Sequence, residues 1–427
     1  MQIAIVGTGI SGLLCAHLLD PHHEVTVFEA GDRVGGHTNT LDIELPGADG
    51  TTEHHAVDTG FIVFNDRNYP GFVKLLDRLG VASRPSDMSF SVSNERSGLE
   101  YRASNLNTLY AQRSNLLRPS FTRMLVDIVR FDRAARQLVV SDADESVSLE
   151  ELVSRGGYSQ RFRDEFLVPF GASIWSADPE TFLQFPAVAY CRFMDNHGLL
   201  QLRGMPTWRT VEGGSRQYVR ALTARLRRPV RTNTAVTKVV RRLDPGRPLG
   251  GVIEVATDAG SPETFDAIVL AGHSDQSLEV LGDPSSAERS ILGAIRYQPN
   301  LATLHTDARL LPRRTRARAS WNYHLGSGSG REATLTYWMN ALQGLQSRHD
   351  ILVTLNRPGE IDHRKVIADI EYDHPVFDAD ALGAQRRRTE IQGRRGTFFA
   401  GAYWGYGFHE DGVRSALDVC RHFGVDL

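Results

Sequence analysis

Three glycines and a carboxylate near the start of the chain are spaced to hold a diphosphate and the sugar beside it. Gly7, Gly9 and Gly12 take the glycine positions of Gly7-Thr-Gly-Ile-Ser-Gly12. The first allows a tight turn, the second lets backbone approach a pyrophosphate, and the third lets a helix pack close to a strand. Ile10 and Ser11 would then open a helix whose unpaired N–H groups and partial positive charge face the phosphates. Glu29 follows Gly12 by 17 positions, near the roughly 20 expected of a ribose-binding carboxylate. A glycine-rich turn with no ligand has the same spacing. What favours a dinucleotide is the context, a strand before the glycines and a helix after them.

The elements that must position these residues are legible. Residues 2–6 are an apolar, β-branched run that reads as a buried strand. Leu13, Leu14, Ala16, Leu18 and Leu19 make a helix that stops near Asp20-Pro21, and residues 24–29 form a second strand. This is a βαβ opening. Further on, helical spacing is expected near 70–80 and over 116–131. Strands are expected within 230–240, 265–271, 333–338, 350–356 and 397–401, and a last helix from Val413. The expected fold class is α/β: a Rossmann-type, discontinuous nucleotide domain over 1–84, 210–285 and 385–427. An α+β substrate domain is inserted over 85–209 and 286–384.

The stretch Glu29-Ala30-Gly-Asp-Arg33-Val-Gly35-Gly36-His37 resembles the E-A-x-x-R-x-G-G-R signature of the flavin amine oxidase superfamily. That resemblance implies FAD as cofactor. Glu29 would hold the adenosine ribose, and the segment from Ala30 through Arg33, Gly35, Gly36, His37 and Thr38 would run along the pyrophosphate. His37 stands where the family often has Arg. Gly60, Phe61 and Ile62, in Val57-Asp-Thr-Gly-Phe-Ile62, resemble the segment that passes the flavin ring, and Val236 falls where family backbone meets adenine. Gly401 and the run Phe408, His409, Glu410, Asp411, Gly412 resemble the closing motif, whose helix start points at the flavin. The family's acidic residue after the strand glycine is here Ala402, which leaves Glu410 or Asp411 to replace it.

The substrate side is less specific. Many amine oxidases of the superfamily carry a lysine that holds water near the flavin. The stretch 295–307, where it is expected, has none, and the only lysines are Lys74, Lys238 and Lys365. His305 and Tyr297 are candidates for proton transfer or satisfied core residues. Trp404 and Tyr406 stand in an aromatic run before the closing helix, either walling a channel or packing on the sheet. The runs 7–12, 57–65, 320–323 and 407–412 also look like a bacterial subgroup of the superfamily, associated with fatty-acyl lipid modification and desaturation of methylated acyl chains. The leading expectation is therefore an FAD-dependent oxidoreductase taking a hydride from an apolar, acyl-type substrate and passing electrons to oxygen or a carrier. The alternatives are an amine oxidase and a flavin-binding scaffold without turnover.

Bulk composition sets the frame. The 427 residues exceed one simple core, and 41% hydrophobic with 23% charged residues suits a folded, soluble chain. A formal charge of −3 gives no reason to expect nucleic acid as partner. Cys15, Cys191 and Cys420 are too scattered for a metal site and read as reduced and buried. Folded structure is expected from Gln2, which leaves no room for a signal peptide. A cytoplasmic location is expected. The basic, amphipathic stretch 116–131 suggests a peripheral contact with the inner membrane face, or else a core helix with solvated arginines.

Overall fold

In the computed structural model, which describes residues 1–141, 146–175, 178–200, 206–326 and 334–427, the opening βαβ unit organises a parallel sheet. Its order is Thr397–Phe399, Ala267–Leu270, Gln2–Val6, Glu24–Phe28, and every pair is parallel. The inner strands are covered on both faces, which is why they are continuous apolar runs rather than alternating ones. One face packs on the helices Ile10–Leu19, Pro70–Leu79, Arg216–Thr223 and His409–Arg421. The other packs on an antiparallel meander of Val236–Leu243, Gly251–Thr257 and Glu263–Phe265. Strands distant in sequence thus become neighbours, and the last strand delivers the chain into the closing helix.

A second, larger sheet has seven strands. Its order is Val366–Pro375, Tyr297–His305, Leu352–Leu355, Leu335–Trp338, Trp321–Leu325, Phe90–Asn94, Leu99–Arg102. Its core also takes in the helical region around Pro119–Val140, Val168–Trp175 and Ala187–Asn196. The hairpin Thr40–Pro46/Thr52–Asp58 packs Ile43 and Val57 into this larger core. Asp58 ends it fully buried, accepting from Thr40 Oγ1 (2.5 Å), Ser215 N and Oγ (2.9 and 2.8 Å) and Gln343 Nε2 (2.8 Å). One carboxylate therefore ties four separate segments together. Burial pushes its pKa up to about 6 despite those donors.

The α/β class expected from sequence is the one found, with differences at element ends. The closing helix starts at His409, a full turn before Val413. The strand expected within 230–240 is displaced to Val236–Leu243, and 265–271 is divided between two sheets at Asp266. Leu335–Trp338 answers the strand expected at 333–338, whose residue 333 lies outside the described residues. The basic helix is Pro119–Val140, because Pro119 suits a first helical turn. Leu116 and Leu117 fall in the 3-10 turn before it, exposed by 57% and 88%. Arg123 and Arg130 do not simply meet solvent: they pair with buried Asp127 at 3.1 and 2.6 Å. Among the described residues no helix is long and apolar enough to cross a membrane.

Candidate active site

The glycine turn is built by close approach. Gly7 has φ +98, and a Cβ there would lie 2.9 Å from the carbonyl oxygen of Ala271; one at Gly12 would lie 2.0 Å from that of Gly7. These two glycines are demanded by the fold itself. Gly9 is different: a Cβ there would meet nothing within 4 Å. The helix that follows has no side-chain cap, so its first N–H groups are left to a ligand. A bare turn with open space over its middle glycine is the cradle a pyrophosphate needs.

Glu29 stands half-buried at the end of the second strand and accepts from Thr8 N (3.1 Å), the Thr8 hydroxyl and Gly31 N (3.0 Å). Its carboxylate is thereby fixed beside the turn with acceptor capacity left for a ribose hydroxyl. Ala30 is exposed beside it. Arg33 uses its guanidinium on the carbonyls of Thr38 (2.7 Å) and Gly36 (2.8 Å). It braces the loop carrying Gly35 (φ +130) and Gly36 (φ +58), and that loop is pressed against Gly9. Val236 is buried at the start of its strand.

The second half of the site lies between this loop and the closing helix. Gly60 packs on His37, where a Cβ would come 2.1 Å from the His37 carbonyl oxygen. Phe61 stacks on His409 with centroids 3.4 Å apart, and Ile62 is buried behind it. Thr38 Oγ1, Tyr218 and His409 Nε2 form a compact polar triangle. Burial pulls His409 down to about 3, so its ring is neutral. Ser11 Oγ donates to Gly412 O (3.0 Å), locking the opening helix to the closing one. Gly401 N donates to Ser415 Oγ (3.0 Å), and Phe408 packs between two cores. Glu410 accepts from Gly71 N and Phe72 N, and Asp411 from Tyr406 N and Phe408 N. Both carboxylates thus serve the chain's own amides. Burial pushes Asp411 up to about 6 and raises Glu410.

The four proton-transfer and channel candidates do not converge. His305 is fully buried in the seven-stranded sheet, with Nε2 on Thr354 Oγ1 (2.7 Å) and Nδ1 accepting from Asp307 N (3.0 Å). Both ring nitrogens are taken. Tyr297 accepts from Ser274 N (2.9 Å) and stacks on His273 at 4.3 Å. Trp404 gives its N–H to Phe399 O (3.2 Å) and lies under Arg388, on the meander side of the parallel sheet. Tyr406 borders a cavity of about 240 Å³, and its carbonyl accepts from Trp175 Nε1 (3.2 Å).

What the motifs missed is a cluster of imidazoles. His37 has His273, Tyr372 and His374 around it, with ring centroids 6.0, 5.1 and 5.4 Å away. Burial and the neighbouring rings lower His37 well below the usual histidine value. His374 in turn borders a second cavity of about 180 Å³, walled by Trp175, Phe182, Phe185 and Phe377. His37 belongs to the Glu29–His37 signature, but His273, Tyr372 and His374 lie outside any motif, and the only signal for the last two was polar side chains on a strand, Val366–Pro375.

FAD fits these residues: the open cradle at Gly9, the uncapped helix start and the fixed Glu29 carboxylate are the donor set a flavin dinucleotide requires. Comparison with known proteins agrees. A candidate flavin-containing monoamine oxidase of Mycobacterium tuberculosis, AofH, is 26% identical over 283 residues, 63% of this chain; the match spans only 56% of that relative's length. Cyclohexylamine oxidase from Brevibacterium oxydans superposes with a TM-score of 0.69 at 16% identity, over 99% of both chains. A fatty acid isomerase from P. acnes that produces CLA superposes at 0.67 and 17% identity, over 99% of this chain and 98% of the other. These likenesses show a shared fold. The family model for flavin-containing amine oxidoreductases matches residues 10–314, and the chain belongs to that family.

Proposed function

We propose that this enzyme dehydrogenates an apolar substrate, with an acyl chain as the reacting group. The observation that carries the reading is the cavity beside His374, whose walls Trp175, Phe182, Phe185, Val376 and Phe377 suit hydrocarbon, while the carboxylate in its lining, Asp378, is already paired with Arg296 at 2.6 Å. The lysines support it. Lys74 donates to the C-terminal Leu427 O (2.6 Å), Lys365 pairs with Asp307 (3.3 Å), and Lys238 lies in the meander strand Val236–Leu243. None joins the imidazole cluster. Among proteins of the same fold, one is a fatty acid isomerase and others are amine oxidases.

FAD, when bound, supplies a two-electron acceptor for a hydride from a C–H bond. The chain's own part is to hold that bond, keep water out and accept or steer the second hydrogen, which leaves as a proton. Oxygen or an electron carrier takes the electrons away afterwards. The division into a nucleotide domain (1–84, 210–285, 385–427) and a substrate domain (85–209, 286–384) belongs to this proposal. So does a peripheral membrane contact of the stretch 116–131, centred on Leu116 and Leu117 with Leu106 beside them in the chain. Leu106, Leu116 and Leu117 are exposed by 75%, 57% and 88%, and Arg118, Arg313 and Arg316 accompany them. Anaerobic mixing tests the core of the reading: acyl lipids are expected to bleach the flavin, and primary amines are not. The reverse result makes the protein an amine oxidase, the second reading, which the family itself supports.

A further inference from the structure

The cavity beside His374 joins aromatic walls to polar groups at Thr181, Gln184, Arg296, Gln298 and Asp378, and the hydrogen-bonding sense of His374 itself can be traced through three links. The trace begins at a backbone N–H, whose role as donor is not in doubt. Leu301 N donates to Asn356 Oδ1 (2.9 Å), which fixes the orientation of the Asn356 amide. Its Nδ2 therefore donates to Asn300 Oδ1 (2.8 Å). That in turn leaves the Asn300 Nδ2 facing His374 Nδ1, at 2.9 Å. An amide N–H can only donate, so His374 Nδ1 carries the lone pair and the neutral ring bears its proton on Nε2.

The relay is held from both sides. Asn356 sits at φ +58, a left-handed conformation that asparagine tolerates better than most residues, directly after the strand Leu352–Leu355. Its own N–H returns a bond to Leu301 O (2.8 Å), so strand and side chain grip the same residue. Asn300 is only 1% exposed, and its Nδ2 donates further to Gln298 O (3.2 Å). His374 Nε2 has no hydrogen-bond partner among the described residues and is not sealed within the protein, while its ring borders the aromatic cavity. Burial pulls the ring down to about 4, which keeps it neutral near pH 7.

We infer that His374 Nε2–H is a binding subsite for a neutral acceptor, the carbonyl oxygen of an acyl ester or thioester, and that Asn300 and Asn356 are positioning residues that hold the ring in that tautomer. This rests on the acyl reading above and gives the substrate a second recognised feature. A fixed neutral donor among aromatic walls accepts a carbonyl oxygen without bringing a charge into the cavity. A protonated amine has no lone pair with which to accept from that N–H, and the carboxylate in the lining, Asp378, is held by Arg296.

The test uses the FAD-bound protein with its histidines ¹⁵N-labelled, the His374 signals being identified by their loss in His374→Phe. Nitrogen shifts and long-range couplings are expected to show a bare Nδ1 and a protonated Nε2. In Asn300→Asp the carboxylate demands a proton on Nδ1, and the tautomer is expected to invert. A wild-type ring protonated on Nδ1 overturns the inference whether or not that variant folds. Methyl octanoate and nonane then serve as probes. The ester is expected to shift the Nε2 signal and to bind about tenfold more weakly to His374→Phe, with nonane affinity unchanged. Equal loss for both probes means packing alone and overturns the subsite. Flavin bleaching separates the two proposals: acyl bleaching without an Nε2 shift removes only the subsite, whereas an ester-induced shift with bleaching by amines alone removes the acyl reading.

Discussion

The glycine turn at 7–12 and the polar residues of the long strands at 297–305 and 366–375 approach each other at His37, and they are built on opposite principles. In the turn the working groups are backbone N–H groups and the essential feature is what is missing: Cβ atoms. Two of its glycines are forced by contacts of 2.9 and 2.0 Å, while the third, Gly9, faces open space and is free for function. In the strands the working groups are side chains, Asn300, His305, Tyr372 and His374, each defined by partners far away in sequence. Residues that serve the fold and residues that serve a ligand can thus be told apart in the turn by steric contact, and in the strands by which polar atoms remain unspent.

The sharpest way to break this comparison is Gly12→Val. Its new side chain has no room beside the Gly7 carbonyl, and the expected result is loss of about 4 kcal/mol or more in urea unfolding, with no flavin retained. Asp58→Asn comes next, because an amide N–H would then face the donors of Ser215 or Gln343; a loss of about 3 kcal/mol is expected. A loss below about 1 kcal/mol would show that Asp58 does not join the four segments. Gly9→Ala separates function from fold: apo stability is expected to stay within about 0.5 kcal/mol while FAD affinity falls at least about tenfold. Flavin titration of the apoprotein reads the second effect, and unchanged affinity removes the cradle assignment.

Titration gives a smaller, cumulative difference, confined to the side-chain regions. His197, His305 and His374 are pulled to about 4, and His409 to about 3, below the unfolded value of about 6.5. As pH falls below 6.5 the unfolded chain takes up these protons first, so stability present above 6.5 is lost toward pH 4. Asp58, Asp132 and Asp411, raised to about 6, act in the opposite sense: between about 6 and 4 the folded state binds their protons first. The lowered histidines, His37 among them, outnumber the raised carboxylates, so stability is expected to fall with pH across that window. His305→Gln is expected to flatten the profile of Tm against pH, and an unaltered slope contradicts the assignment. The smallest effect is expected for Trp404→Phe, about 1 kcal/mol with kcat unchanged, since its N–H serves only Phe399 O. A large fall in kcat would return Trp404 to the active site.

The legible parts of the molecule were those whose function is written locally. Gly7 to Gly12 and Glu29 to Gly36 could be read because strand, turn and helix lie within one βαβ unit. Backbone chemistry needs glycine there whatever the rest of the chain does. The closing helix was legible as a helix but misplaced by a turn, since Phe408 and His409 are held by packing that no periodicity reveals. Glu410 and Asp411, expected at the cofactor, also accept from neighbouring amides, and for Glu410 this depends on where the helix Pro70–Leu79 begins in space.

By itself, then, the sequence determined the crowded strand–turn–helix opening at Gly7 to Gly12, the α/β class and the want of a lysine along 295–307. Those follow from residue type and short-range spacing, where sterics and hydrogen-bond geometry act within a few residues. Only the tertiary structure decided which polar side chain stays unspent. His305 and His374 are alike on paper, single histidines on strands of one sheet. The first is consumed by Thr354 and Asp307, while the second keeps an N–H because Asn300, 74 positions away, takes its other nitrogen. Long-range pairing sets a hydrogen bond's direction, and no local pattern carries that information.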